Sequence, residues 1–210
     1  MNEYNQFNEK RADQIITALE KRNMKGYYCS TKEEATQLAL SMIHNNATVS
    51  WGGSKSLDDI GIIEELRNGD YDLLDSSAVG YDQVFEIYHK ALSSDHYLMG
   101  TNAITMDGQL VNIDGFGNRI SSLIFGPKNV IVIAGMNKVE RDLDSAMKRA
   151  RNQAAPINSM RLNMNTPCTK TGRCHDCLAP DTICGHILTT RVSKVPGRIN
   201  VILVGDNIGY

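Results

Sequence analysis

Two runs of apolar, mostly β-branched residues stand out along the chain, NVIVIA at 129–134 and RINVILV at 198–204. Such runs read as strands buried on both faces, the signature of a largely parallel sheet flanked by helices. Between and before them the pattern changes period. Ala12, Ile15, Ile16 and Leu19 recur at helical spacing and predict a helix over 8–24, stopped by Lys25-Gly26. A short strand at 27–29 follows, with Cys29 read as a small buried hydrophobe. Ser30 or Thr31 then caps a helix that carries Glu33 and Glu34 in its first turn and Ala35, Leu38, Ala39, Met42 and Ile43 on its inner face. ATVSW at 47–51 is a strand running straight into Gly52-Gly53-Ser54 and one helix reaching Asn68-Gly69. A strand at 71–74 and a helix at 82–91 come next, with His89 and His96 read as isolated structural histidines.

The densest region is 97–135. It opens with the strand YLM, continues through Thr101-Asn102, and forms a hairpin whose arms, 103–105 and 110–113, flank the turn Asp107-Gly108. An Asp-Gly pair between apolar runs is a strong hairpin signal, because both residues tolerate positive φ. A polar cluster then follows, with Asn112, Asp114, Gly115, Gly117, Asn118 and Arg119. Beyond the 129–134 strand, residues 139–151 predict a helix with a solvated face of mixed charge, and 154–164 fits helix or loop. The alternation gives an α/β fold, a three-layer sandwich around a mixed, mostly parallel sheet. It is expected as a single domain spanning 1–210, with a four-cysteine loop inserted at 165–187.

Composition sharpens the class. A chain of 210 residues, 41% hydrophobic and 22% charged, can bury a substantial core. A net charge of −2 offers no basic field for nucleic acid, and no apolar run approaches the roughly 20 residues of a membrane span. The polar start MNEYNQFNEK does not read as a signal peptide, so a cytoplasmic location is expected.

Ligands of open α/β sheets bind outside the carboxyl ends of strands. The strand–Gly52-Gly53-Ser54–helix junction is therefore a candidate anion cradle, its glycines letting backbone N–H groups approach a ligand. It lacks the spacing of a P-loop and also reads as a plain connection with a serine cap. Trp51 either floors a pocket or packs in the core. Thr101, Asn102, Asp107, Asn118, Arg119 and Lys138 complete the candidate binding set, with Arg119 and Lys138 gripping a carboxylate or phosphate. Asp114 is the candidate general base, and each turn residue also reads as a turn former alone.

Cys168, Cys174, Cys177 and Cys184 are spaced C-x5-C-x2-C-x6-C in a Gly- and Pro-bearing stretch. Four thiolates can hold a tetrahedral zinc or a [4Fe-4S] cluster; spacing does not choose between them, and disulfides or free thiols are the plain alternative.

The pattern GTNAIT-MDG-QLVNIDG-GNR, with the VIVIAG strand and Asn137-Lys138 after it, resembles the LUD family of lactate-utilisation proteins over nearly the whole chain. More distantly it resembles initiation factor 2B subunits and methylthioribose-1-phosphate isomerase, which share the NagB/RpiA/CoA transferase-like architecture. The resemblance implies a protein that binds a small anionic metabolite and works with redox partner subunits, some carrying iron–sulfur clusters, in oxidising L-lactate to pyruvate. It also tilts the cysteine site toward [4Fe-4S], although many relatives lack these cysteines. A sugar-phosphate isomerase, a CoA transferase-like enzyme and a non-catalytic metal-bearing redox accessory or sensor are the other readings. The isomerases carry an acid where this chain has Asn102, and an amide cannot serve as a general base. A homodimer is an assembly open to such a domain.

Overall fold

The computed structural model describes residues 3–210. In chain order the first half runs α1 (Glu3–Glu20), β1 (Lys25–Cys29), α2 (Lys32–Ser41), β2 (Thr48–Trp51), α3 (Lys55–Asp59), α4 (Ile62–Asn68), β3 (Asp72–Leu74), α5 (Tyr81–Ala91) and β4 (His96–Gly100). The second half runs β5 (Ala103–Thr105), β6 (Leu110–Asp114), α6 (Asn118–Ile124), β7 (Asn129–Gly135), β8 (Val139–Glu140), α7 (Leu143–Arg149), α8 (Ala155–Arg161), α9 (Pro167–Thr171), β9 (His186–Thr190) and β10 (Ile199–Val204). A π-helical turn, Ala150–Ala154, joins α7 to α8.

Six strands form one parallel sheet in the order β1-β10-β7-β4-β2-β3. Its two faces are read directly from residue alternation, because successive strand side chains point to opposite sides. Val130, Val132, Val201 and Leu203 pack with Ala12, Ile15 and Leu19 of α1, and with Ala91 and Leu123 from α5 and α6. Ile131, Ile133, Ile202 and Val204 pack instead with Ala35 and Ala39 of α2 and with Leu57, Ile62 and Leu66. The result is the expected three-layer α/β sandwich.

The antiparallel pairing lies elsewhere. β5 and β6 form the Asp107-Gly108 hairpin, Gly108 taking φ +81°, but they join a second sheet ordered β8-β5-β6-β9. Its core is made by Ala103, Val111 and Ile113 against Ala146, Ala150 and Ala155 of the α7–α8 helix. Four elements were not legible: α6 after Gly117, the short strand β8, α9 inside the expected cysteine loop, and the edge strand β9, which pairs antiparallel with β6. The expected single helix from Ser54 to Asn68 is broken at Gly61, which takes φ +74°. The expected helix at 139–151 begins only at Leu143, where Asp142 caps it in a reciprocal box with Ser145. Thr31 is the cap of α2, accepting from the Glu34 N–H.

Arg198, entering β10, is buried and donates to the carbonyls of Ser122, Leu123 and Pro127 at 2.7, 2.7 and 2.8 Å. It thereby satisfies the frayed end of α6 and its exit loop. Replacement by Met strands three buried acceptors, each costing about 1–3 kcal/mol. The expected loss for Arg198→Met is at least about 3 kcal/mol in urea unfolding, with Arg198→Lys recovering part of it; a loss under 1 kcal/mol contradicts this role.

Candidate functional site

The carboxyl ends of four neighbouring strands converge. The loop after β2 carries Gly52, Gly53 and Ser54; that after β4 carries Thr101 and Asn102. The turn after β7 carries Asn137 and Lys138, and the segment after β10 carries Ile208 and Gly209. Lys138 Nζ donates to Ser56 Oγ at 2.6 Å and to the Thr101 carbonyl at 3.3 Å, so one ammonium ties three strand ends together. Packing there leaves no room for side chains. A Cβ on Gly100 would lie 2.5 Å from Ser54 Oγ, and one on Gly209 would lie 2.8 Å from Lys138 Nζ. Gly209 itself donates to Asp59 at 2.8 Å and its carbonyl accepts from Asn137 Nδ2 at 3.3 Å. The segment after β10 therefore lies over Lys138.

Three cations share this end of the sheet. Arg149, in the last turn of α7, donates to the Asn102 carbonyl at 2.5 Å and the Asn137 carbonyl at 3.3 Å. Its Nη2 is buried with no acceptor among the described residues. Arg119 spends its fork on the Gly100 carbonyl (3.1 Å), the Ile113 carbonyl (2.6 Å) and Asn112 Oδ1 (2.8 Å). Burial above all, then the positive charges of Arg149 and Arg119, pull Lys138 from its ordinary 10.5 down to about 7. Asp59 is the one carboxylate that opposes this fall.

Beside this network a cavity of about 330 Å³ opens at the end of β2. Trp51, Gly52, Gly53 and Ser54 form one wall, with Arg67 and Arg161 on others. Its volume sits at the small end of the range for metabolite pockets, about 300–1,000 Å³. Asp58 and Glu64 also line it. Arg67 is committed to Asp75 at 2.8 Å, whereas Arg161 bonds neutral groups, the Asn158 amide oxygen at 2.9 Å and the Tyr210 hydroxyl, with no carboxylate ion pair among the described residues. A Cβ on Gly53 would meet nothing within 4 Å, so that backbone faces open space.

The structure sorts the expected binding residues into three groups. Gly52, Gly53 and Ser54 line the cavity. Thr101, Asn102, Arg119 and Lys138 form the buried framework behind it, with the Asn102 amide oxygen accepting from the Ile113 N–H at 2.8 Å. Asp107 lies apart, in the hairpin turn, where it pairs with Arg22 of the α1–β1 connection at 2.6 Å. Asn118 opens α6. Asp114 accepts from the Gly117 and Ile120 N–H groups at 3.0 and 3.2 Å, holding the start of α6 and, 3.6 Å from Arg119 Nε, that arginine as well. Arg67, Arg149 and Arg161 were missed, since each lies on a helix whose charge pattern reads as ordinary solvated surface.

Cys168, Cys174, Cys177 and Cys184 are all unbridged and line one common cavity of about 90 Å³. Burial first, then the neighbouring sulfurs, raises the Cys184 thiol. Among the described residues no three His, Cys, Asp or Glu side chains close on a single-ion site.

A family model for the LUD domain matches residues 12–204. No curated protein matches the sequence. Among solved structures, a DUF162 family protein from Deinococcus radiodurans aligns with TM-score 0.53 at 13% identity, covering 94% of this chain and 98% of that one, a likeness of fold alone. Ribose 5 phosphate isomerase A from Neisseria gonorrhoeae aligns at TM-score 0.36 and 17% identity over 53% of this chain and 54% of its own, too partial to carry an argument. The same holds for eIF2B beta from Chaetomium thermophilum, at TM-score 0.36 and 13% identity over 54% of this chain and 44% of that one.

The depressed lysine has a measurable consequence. Between about 7 and 10.5 the unfolded chain holds the Lys138 proton and the folded chain does not. Unfolding free energy therefore gains from this group as pH rises through that window, by up to about 1.4 kcal/mol per pH unit. Below it both states are charged and the slope vanishes. Urea unfolding of wild type and Lys138→Met at pH 7, 8 and 9 should diverge, wild type gaining on the variant as pH rises; parallel curves refute the depressed lysine.

Proposed function

The chain belongs to the LUD domain family, and from that premise we propose that it binds a small carboxylate or phosphate metabolite in the cavity at the end of β2 and serves a lactate-utilisation redox system. The observation that carries this reading is the cavity of about 330 Å³ lined by Gly53, whose backbone faces open space, and by Arg161, a cation bonded to neutral groups alone among the described residues. A backbone N–H and a guanidinium bonded to neutral groups are donors that suit an anion. Lys138 and Arg149 add positive charge from behind, linked to the cavity through Ser56, which lies on the helix that Ser54 caps. In such a system L-lactate becomes pyruvate by losing two electrons and two protons, which pass to a redox carrier on a partner subunit. This chain supplies the grip on the carboxylate.

An isomerase mechanism finds little support. It needs a carboxylate where Asn102 stands, and the Asn102 side-chain oxygen is already committed to the Ile113 N–H. A purely accessory redox role draws support from the cavity shared by the four cysteines.

Thermal unfolding with L-lactate, pyruvate, inorganic phosphate, ribose 5-phosphate or CoA tests the reading. A ligand at about 100 times its Kd stabilises by about 2.7 kcal/mol, which is roughly 5–10 °C for a chain of this size. A shift with lactate or pyruvate is expected, falling below about a third of its size in Arg161→Gln. No shift with any of these compounds, or an undiminished shift in the variant, overturns the proposal.

A further inference from the structure

We propose that Cys168, Cys174, Cys177 and Cys184 bind a [4Fe-4S] cluster in the cavity they share. This goes beyond the metabolite reading and does not depend on it.

The four sulfurs are presented by separately anchored pieces of chain. Cys168 is buried in α9, next to Thr166 Oγ1 at 3.2 Å. Cys174 and Cys177 flank a tight turn in which Asp176 takes φ +52°. Cys184 lies just before β9, which is fixed to β6 by antiparallel pairing. These anchors bring all four cysteines to one cavity. A cubane holds its four cysteine sulfurs around a larger body, one on each iron. The cavity that all four cysteines help to line measures about 90 Å³, more than a single ion fills.

The walls suit the same cofactor. Ile113, Ala155, Pro156 and Ile187 line the cavity and keep one side of it apolar. Donors point at sulfur from the other side: the Asp176 N–H reaches Cys174 Sγ at 3.4 Å, and Arg151 Nη2 lies 3.8 Å from it. Hydrogen bonds to ligating sulfur stabilise the thiolate and are a standard determinant of cluster potential. On assembly from two ferrous ions, two ferric ions and four sulfides, the four thiols release four protons and each cysteine sulfur forms one bond to iron, with no change of oxidation state. Two positive iron-sulfide charges against four thiolates leave the centre anionic, and Arg151 stands beside it to offset that charge.

The test is anaerobic purification of the full chain, followed by iron, sulfide and zinc assay and an absorption spectrum, with reconstitution by ferrous and ferric iron and sulfide where iron is below stoichiometry. The expected protein is brown, absorbs broadly near 400 nm, holds about four irons and four sulfides per chain, and bleaches with dithionite. Cys177→Ser and Cys184→Ser should lose more than half the iron, while Cys29→Ser, whose thiol lies in the other core, keeps it. Circular dichroism shows whether each variant is folded, and the wild-type stoichiometry stands without them. A colourless protein with one zinc per chain, a two-iron centre, or a chain retaining less than one iron after reconstitution each overturns the proposal.

Discussion

The bond from Lys138 to Ser56 fixes the end of the sheet on which the candidate site stands. It joins the exit of β7 to the first turn of α3, and through the Thr101 carbonyl it adds the exit of β4. Burial makes this an uneasy arrangement. Three basic side chains crowd together, and burial first, then their repulsion, depresses the lysine. Arg119 and Arg149 tolerate the place because backbone carbonyls surround them, each offering partial negative charge, with Asp114 3.6 Å from Arg119 and Glu140 4.0 Å from Arg149.

The same arginines weld the second sheet to the first. Arg119 spans from the Gly100 carbonyl at the end of β4 to the Ile113 carbonyl in β6, and Arg149 reaches the Asn102 carbonyl in the connection between the sheets. The small sheet is thus held at a fixed angle to the large one by charge-assisted bonds as well as by its own apolar core. Asp114 fits this reading, since its oxygens hold backbone N–H groups at the start of α6 and stand beside Arg119.

Much of this could be read in the residues themselves. The parallel sheet was legible because NVIVIA and RINVILV are apolar on both faces, and the hairpin because Asp107-Gly108 separates two apolar arms. The Gly52-Gly53-Ser54 turn was legible as a strand end meeting a helix start, and it does line the cavity. The destination of the hairpin was not, because its partner β9, HILTT, is a short half-exposed strand beyond the cysteines with no periodic signal of its own. Arg67 and Arg161 escaped for a different reason. They reach the cavity from two helices far apart in sequence, and no local pattern marks an arginine that will meet a glycine turn in space. Asp107 shows the converse, a strong local signal whose side chain is spent on Arg22.

One helical rod connects the cavity, the cation network and the cysteine loop. Arg149 ends α7 facing the strand ends, Arg151 in the π turn faces Cys174 and Asp176, and Arg161 ends α8 at the cavity wall. A π turn widens the helix by one residue and resets the phase of everything after it. Here it lies between the arginine serving the sheet and the arginine serving the cavity, while Ala146, Ala150 and Ala155 keep the rod flush against the second sheet. Small residues on that face allow the close approach, and close approach puts Arg151 within reach of sulfur. Each site thus takes its arginine from the same rigid element, so a cluster assembled among the cysteines would brace the helix that also presents Arg161 to a bound anion.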